Sequence, residues 1–159
     1  VLIGMPGSGK STIGVLLAKV LLRNFIDTDI LIQRGENATL QNLLNRLGID
    51  RFCALEAHYL KNIMAHNSVI ATGGSAVYSA GAMAALKKDG LCVWLDLPLH
   101  ELRKRLQNLS SRGVVMVTGQ SLDGLYRERQ PLYEQFADLR IACSEKSHEA
   151  VVEAVLAAL

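Results

Sequence analysis

The chain has 159 residues, a net charge of +2 and a hydrophobic fraction of 50%. That is the size of one ordinary domain with enough apolar side chains for a single core, and the composition excludes a disordered or collagen-like chain. Near-neutral charge gives no basis for nucleic-acid or membrane-surface binding, and no run reaches the roughly 18 apolar residues of a membrane span.

In chain order, short apolar runs alternate with helix-length segments. The runs are Val1–Ile3, Asn24–Asp27, Ser68–Ala71, Leu91–Leu95 and Leu139–Ala142. Each is too short for a buried helix and suits a strand covered on both faces. Between the first two, Ile13, Leu16, Leu17, Val20 and Leu21 recur at helical spacing and predict one buried helix face. Leu99, Leu102 and Leu106 repeat that pattern, and Val151, Val152, Val155, Leu156 and Leu159 predict a final amphipathic helix. Strands alternating with helices imply right-handed crossovers and a parallel sheet between helical layers.

Two stretches break the rhythm. Gln33–Asp50 is polar, with a helical pattern at Leu40, Leu43, Leu44 and Leu47, and predicts an insertion above the sheet, taken over residues 33–60 as an acceptor-binding segment. Asn108–Ser121 is rich in Ser, Gly and Val without a period, which predicts a lid. The rest reads as one domain over residues 1–159. Cys53, Cys92 and Cys143 are scattered, without CxxC spacing, which predicts reduced thiols in a cytoplasmic protein. His58, His66, His100 and His148 lack zinc-site spacing. No signal peptide is visible, and a short piece is expected to precede Val1. A monomer is expected.

The class is decided by Gly4-Met5-Pro6-Gly7-Ser8-Gly9-Lys10-Ser11, which matches G-x-x-x-x-G-K-[ST] at every fixed position between a predicted strand and a predicted helix. Gly7, Ser8 and Gly9 bring backbone N–H groups to phosphate oxygens. The helix starting at Lys10, Ser11 and Thr12 adds its positive end. Lys10 reaches the β- and γ-phosphates, and the Ser11 hydroxyl ligates Mg²⁺.

Strand two ends in Asp27-Thr28-Asp29, at the end of a parallel strand where ligands bind. Asp27 is assigned to a Mg²⁺-bound water and Asp29 to an acceptor hydroxyl, whose proton it can take. The alternative is that Asp29 caps the helix that follows. Strand three runs into Thr72-Gly73-Gly74-Ser75, whose turn amides either meet a ligand or close an ordinary turn. Arg112, in the expected lid, is a candidate for the transferring phosphate; the alternative is a solvated loop arginine. Arg129, beside Gln130-Pro131-Leu132-Tyr133, is a candidate carboxylate clamp or a helix-surface charge paired with Glu128 or Glu134. Arg105 either stacks on a base or lies on a solvated face.

Taken together, these segments resemble the shikimate kinase family over nearly the whole chain. The P-loop, Phe25-Ile26-Asp27-Thr28-Asp29, Thr72-Gly73-Gly74, Arg112 and Arg129-Gln130-Pro131-Leu132-Tyr133 follow in the family's order. The resemblance implies a nucleoside-monophosphate-kinase-like P-loop fold, a three-layer α/β/α with a five-stranded parallel sheet. It implies transfer from ATP, with Mg²⁺, to the 3-hydroxyl of shikimate, a step toward aromatic amino acids. It further implies that Asp29, Gly73, Gly74 and Ser75 face the ring, that Arg129 binds the carboxylate, and that Arg105 and Lys146 lie near the adenine. Lys10, Asp29 and Arg112 would carry catalysis.

Three positions depart from the family pattern. Phe52-Cys53-Ala54-Leu55-Glu56 stands where the family has F-R-x-x-E, so Cys53 replaces an arginine that also grips the carboxylate. Arg51 lies nearby but about 200° round a helix from the position two residues on. Arg112-Gly113-Val114 replaces R-P-L, and Ser75 replaces a third glycine. The departures leave two alternatives: a related kinase for another hydroxy acid or polyol, of gluconate type, and a nucleotide-binding module without transfer.

Overall fold

The structure is a computed structural model that describes residues 1–106, 114–116 and 119–159. Five strands form one parallel sheet: β1 (Leu2–Ile3), β2 (Asn24–Asp27), β3 (Ser68–Ala71), β4 (Val93–Asp96) and β5 (Leu139–Ala142). Their order is β2-β3-β1-β4-β5, so the central β1 and the positions beside it are covered on both faces. Leu2 and Ile3 are accordingly buried, as are Val93, Trp94 and Leu95.

Seven α-helices complete the described chain: α1 (Lys10–Val20), α2 (Thr28–Glu36), α3 (Leu40–Lys61), α4 (Ala80–Lys87), α5 (Leu99–Arg105), α6 (Leu122–Phe136) and α7 (His148–Ala158). α1 packs on β2 and β3 and against α7, and α7 reaches β5. α3, α4 and α6 all meet the 3₁₀ turn Ala76–Tyr78 that follows β3. The expected three-layer α/β/α with a five-stranded parallel sheet is what forms.

The buried stripe of α1 differs from the predicted one. Ile13 and Leu17 are buried, but so are Gly14 and Ala18, while Val20 is 57% exposed. The reason is steric. A Cβ on Gly14 would sit 2.5 Å from Phe25 Cε2, so the helix lies on its small-residue side, close against β2, and Val20 turns outward.

The segment after β2 also differs from expectation. Helix begins at Thr28, directly after the strand, and runs through α2 and then α3, which bends at Gly48 (φ 74°). Ile32, Leu40, Leu43 and Phe52 from these helices bury against Val115, forming a second small core separate from the main one. The leucine pattern of the expected insertion therefore packs largely on itself, which holds α2 and α3 over the end of the sheet. Among the described residues no helix is long and apolar enough to cross a membrane.

Candidate active site

The P-loop connects β1 to α1. Gly9 is the N-cap of α1 in left-handed backbone (φ 97°), and no side chain caps the helix. A helix start without a side-chain cap presents its first N–H groups and positive end to whatever anion lies above it. Lys10 is 8% exposed, and its Nζ donates to the carbonyls of Gly4 and Met5, each at 2.8 Å. Burial pulls Lys10 from 10.5 down to about 8, against the charges of Asp29, Asp27 and Glu56. Ser8 Oγ is buried and, among the described residues, lacks a hydrogen-bond partner. Buried hydroxyls rarely stay unpaired, and this one lies within the loop beside Gly4, chemically suited to a phosphate oxygen. The residues present therefore fit a bound nucleotide.

The two acids do not share a strand. Asp27 ends β2 and caps α2: its Oδ1 accepts from the N–H groups of Asp29 (3.0 Å) and Ile30 (3.3 Å). Asp29 lies in the first turn of α2 rather than on a strand, and is not the cap. On an extended strand residues i and i+2 would share a face, so the pair separates because Asp29 already lies in the helix and Asp27 does not. Asp29 lines a cavity of about 780 Å³ together with Lys10, Ser11 and Thr12, whereas Asp27 does not line it. Burial, then the charge of Asp27, raises Asp29 to about 6, while Lys10 opposes.

The turn after β3 lines the same cavity, with Gly74 against Pro6 of the P-loop. It is held at several points: Gly73 N–H donates to Thr28 Oγ1 (3.1 Å), Tyr133 Oη donates to the Gly74 carbonyl (2.7 Å), and Ser75 Oγ donates to Glu56 Oε2 (2.6 Å). A Cβ on Gly73 would collide with Glu56 Oε1 and come within 2.8 Å of Asp29 Oδ1. Glycine is needed there so that two carboxyl groups can flank the backbone. The Gly73 amide itself serves Thr28, so it is the closeness of the backbone, not that amide, which Gly73 contributes.

Glu56 was not singled out from the sequence as a site residue. Burial raises its pKa from 4.5 to about 7; the Ser75 hydrogen bond opposes this and the charge of Asp29 adds to it. Its signal was present, since Phe52, Glu56 and Leu60 share one buried face of α3 at intervals of four. An acid in such a stripe is buried by geometry.

Arg129 is fully buried, not a surface charge. Nε donates to Tyr78 Oη (2.9 Å) and Nη2 to the Val115 carbonyl (2.6 Å). Among the described residues no carboxylate lies within ion-pair distance of it. A buried cation served only by neutral oxygens is costly without an anion nearby. Cys53 is half-buried beside Glu56 and Ser75 in a recess of about 210 Å³. Burial, then the charge of Glu56, raises its thiol to about 11, so it stays protonated. Arg51 is exposed and does not line the cavity, so no second guanidinium from α3 faces the acceptor end.

Arg105 and Lys146 line the P-loop end of the cavity together with Ser147 and His148. Arg105 Nη1 donates to the Gly7 carbonyl at 3.4 Å, and Lys146 Nζ to the Ala142 carbonyl at 2.8 Å. Arg112 lies outside the described residues. A cavity of about 980 Å³ elsewhere is lined by Val1, Leu21, Ile63, Leu91 and Leu159 among others, and includes neither the P-loop nor the turn after β3.

A parallel sheet with a phosphate-binding first turn, a lysine in it and a carboxyl group across one cavity defines a P-loop phosphotransferase acting on a hydroxyl group. A family model described as shikimate kinase matches residues 6–159, and the chain belongs to the shikimate kinase family. The shikimate kinase of Rhizobium meliloti (strain 1021) is 37% identical over 162 residues, covering 100% of this chain and 84% of the relative. That of Corynebacterium glutamicum is 35% identical, covering 98% and 93%. The solved shikimate kinase from Acinetobacter baumannii in complex with shikimate superposes with a TM-score of 0.89 at 30% identity, over 98% of this chain and 88% of that one.

Proposed function

We propose that this chain transfers the γ-phosphoryl group of ATP to the 3-hydroxyl of shikimate, giving shikimate 3-phosphate. The observation that carries the acceptor assignment is the buried Arg129, paired only with neutral oxygens and lining the same cavity as Lys10 and Asp29. One end of that cavity suits a polyphosphate. The other suits a small ring with hydroxyls toward Asp29 and a carboxylate toward Arg129.

In this reading the first-turn amides of α1 and Ser8 Oγ hold the phosphates, and Lys10 leaves the Gly4 and Met5 carbonyls for the β- and γ-oxygens. Arg112 joins Lys10 against the charge that develops on the transferring group. Asp29 orients the attacking hydroxyl and accepts its proton. Gly73, Gly74 and Ser75 shape the ring pocket, and Arg105 and Lys146 border the adenine. Mg²⁺ would be held by Ser11, a water on Asp27 and the phosphates themselves. Mg²⁺ would neutralise charge on the β- and γ-oxygens. Helices α2 and α3, with the small core around Val115, form the acceptor-binding wall; the expected lid, residues 108–121, falls for the most part outside the described residues.

A coupled assay of ADP release across shikimate, gluconate and buffer alone tests the reading. Release with shikimate supports it. Release with gluconate only would move the chain to the related kinase that the Cys53 substitution suggests. Nucleotide binding without release on any acceptor would leave a binding module.

A further inference from the structure

Arg129 carries five N–H donors, and the groups that hold some of them, Tyr133 included, set how the rest face the cavity. Nε is held by Tyr78 Oη at 2.9 Å and Nη2 by the Val115 carbonyl at 2.6 Å. Nη1 lies toward the glycine turn, 3.0 Å from where a Cβ on Gly74 would be. Tyr78 is the last residue of the 3₁₀ turn that follows Ser75, so the segment that shapes the acceptor pocket also carries the group that sets the guanidinium's rotation. The guanidinium carbon lies 4.9 Å from the Tyr78 ring centroid, which restricts its tilt as well.

The hydroxyl has a single proton, and Tyr78 gives it to Glu128 Oε1 at 2.6 Å. Its lone pair is therefore left for Arg129. Glu128 in turn accepts from Gln120 Nε2 through its other oxygen, at 2.6 Å. Glu128 precedes Arg129 on α6 and is exposed while Arg129 is buried. A surface carboxylate thus polarises a phenol that faces a buried cation, without itself entering the acceptor pocket and competing for the acceptor's anion.

We propose that Tyr78, oriented by Glu128, is the positioning residue that aims Arg129 at the acceptor carboxylate. It does not line the main cavity and acts only through Arg129. The proposal rests on the reading that Arg129 binds that carboxylate.

The test is steady-state kinetics of the whole chain with shikimate and ATP for Tyr78→Phe, Glu128→Gln, Arg129→Ala and the double variant Tyr78→Phe/Arg129→Ala. Tyr78→Phe keeps the ring and removes one bond to a charged group, so the KM for shikimate should rise about tenfold, with the KM for ATP unchanged. Glu128→Gln, a surface change, should give a smaller rise of the same kind. In the Arg129→Ala background Tyr78→Phe should add nothing, because the group it positions is gone. A rise in both KM values together, or full additivity in the double variant, would mean Tyr78 merely supports the fold and would overturn the proposal. An unchanged shikimate KM in Tyr78→Phe, with a raised one in Arg129→Ala, would overturn the proposal alone. An unchanged shikimate KM in Arg129→Ala would overturn the reading beneath it. Should Tyr78→Phe unfold, Glu128→Gln decides by the same split.

Discussion

Replacing Glu56 by glutamine should make the protein relatively more stable as pH rises. Glu56 is 3% exposed and titrates near 7 instead of 4.5 because its charged form is poorly solvated. Below pH 4.5 both folded and unfolded chains hold the proton, and burial of the charge costs nothing. Between 4.5 and about 7 the unfolded chain releases the proton while the folded one keeps it, so wild-type stability falls with rising pH. Above 7 the penalty is complete and constant. At about 1.4 kcal/mol per pH unit, the interval amounts to roughly 3 kcal/mol, a large share of the ~5–15 kcal/mol typical of a domain. Glutamine has no proton to lose and its amide oxygen can still accept from Ser75 Oγ. Urea unfolding of both proteins from pH 4.5 to 8 measures the difference, and contributions from titrating groups not coupled to Glu56 largely cancel. The advantage of Glu56→Gln should grow by about 3 kcal/mol over this range. A difference that stays flat, or shrinks, would refute the assignment of a buried carboxyl held neutral by desolvation.

Asp29→Asn should lower kcat by ~10²–10⁴-fold as a lost general base while ATP affinity by calorimetry stays the same; unchanged turnover with shikimate would remove Asp29 from the mechanism. Lys10→Met should weaken ATP binding by roughly 10–100-fold, the loss expected for charged hydrogen bonds, without changing shikimate affinity. Cys53→Arg restores a guanidinium beside Glu56, in a recess of about 210 Å³. It should lower the KM for shikimate at least ~10-fold, at the low end of what a paired charge contributes; an unchanged value would mean that Arg129 alone sets the affinity.

What could be read from the sequence was local. The strands at Asn24–Asp27, Ser68–Ala71 and Leu139–Ala142 coincide with their runs; β3 is apolar because it lies buried inside the sheet, while β2 and β5 are the sheet's edges and carry the exposed Asn24 and Arg140. The P-loop was legible because its spacing, strand and helix lie within eleven residues of one another. The placement of Asp29 was not: propensity does not show that helix begins directly at Thr28, and one helical turn in place of one extended residue redirects the carboxyl group. The partners of Arg129 were also hidden, since Tyr78 lies 51 residues from it in sequence and only the packing of α6 on the 3₁₀ turn brings them together. The link between Ser75 and Glu56, across 19 residues, depends in the same way on α3 lying against that turn. Small-residue packing at Gly14 shifted the buried face of α1 because the hydrophobic pattern weighs side chains and takes no account of how closely a strand approaches.

Phosphorus NMR of the product formed from ATP, Mg²⁺ and shikimate tests the transfer most directly. Transfer to the 3-hydroxyl of shikimate predicts a phosphomonoester whose phosphorus couples to the proton on ring carbon 3. Free inorganic phosphate alone, or a phosphoester at another ring position, would contradict it.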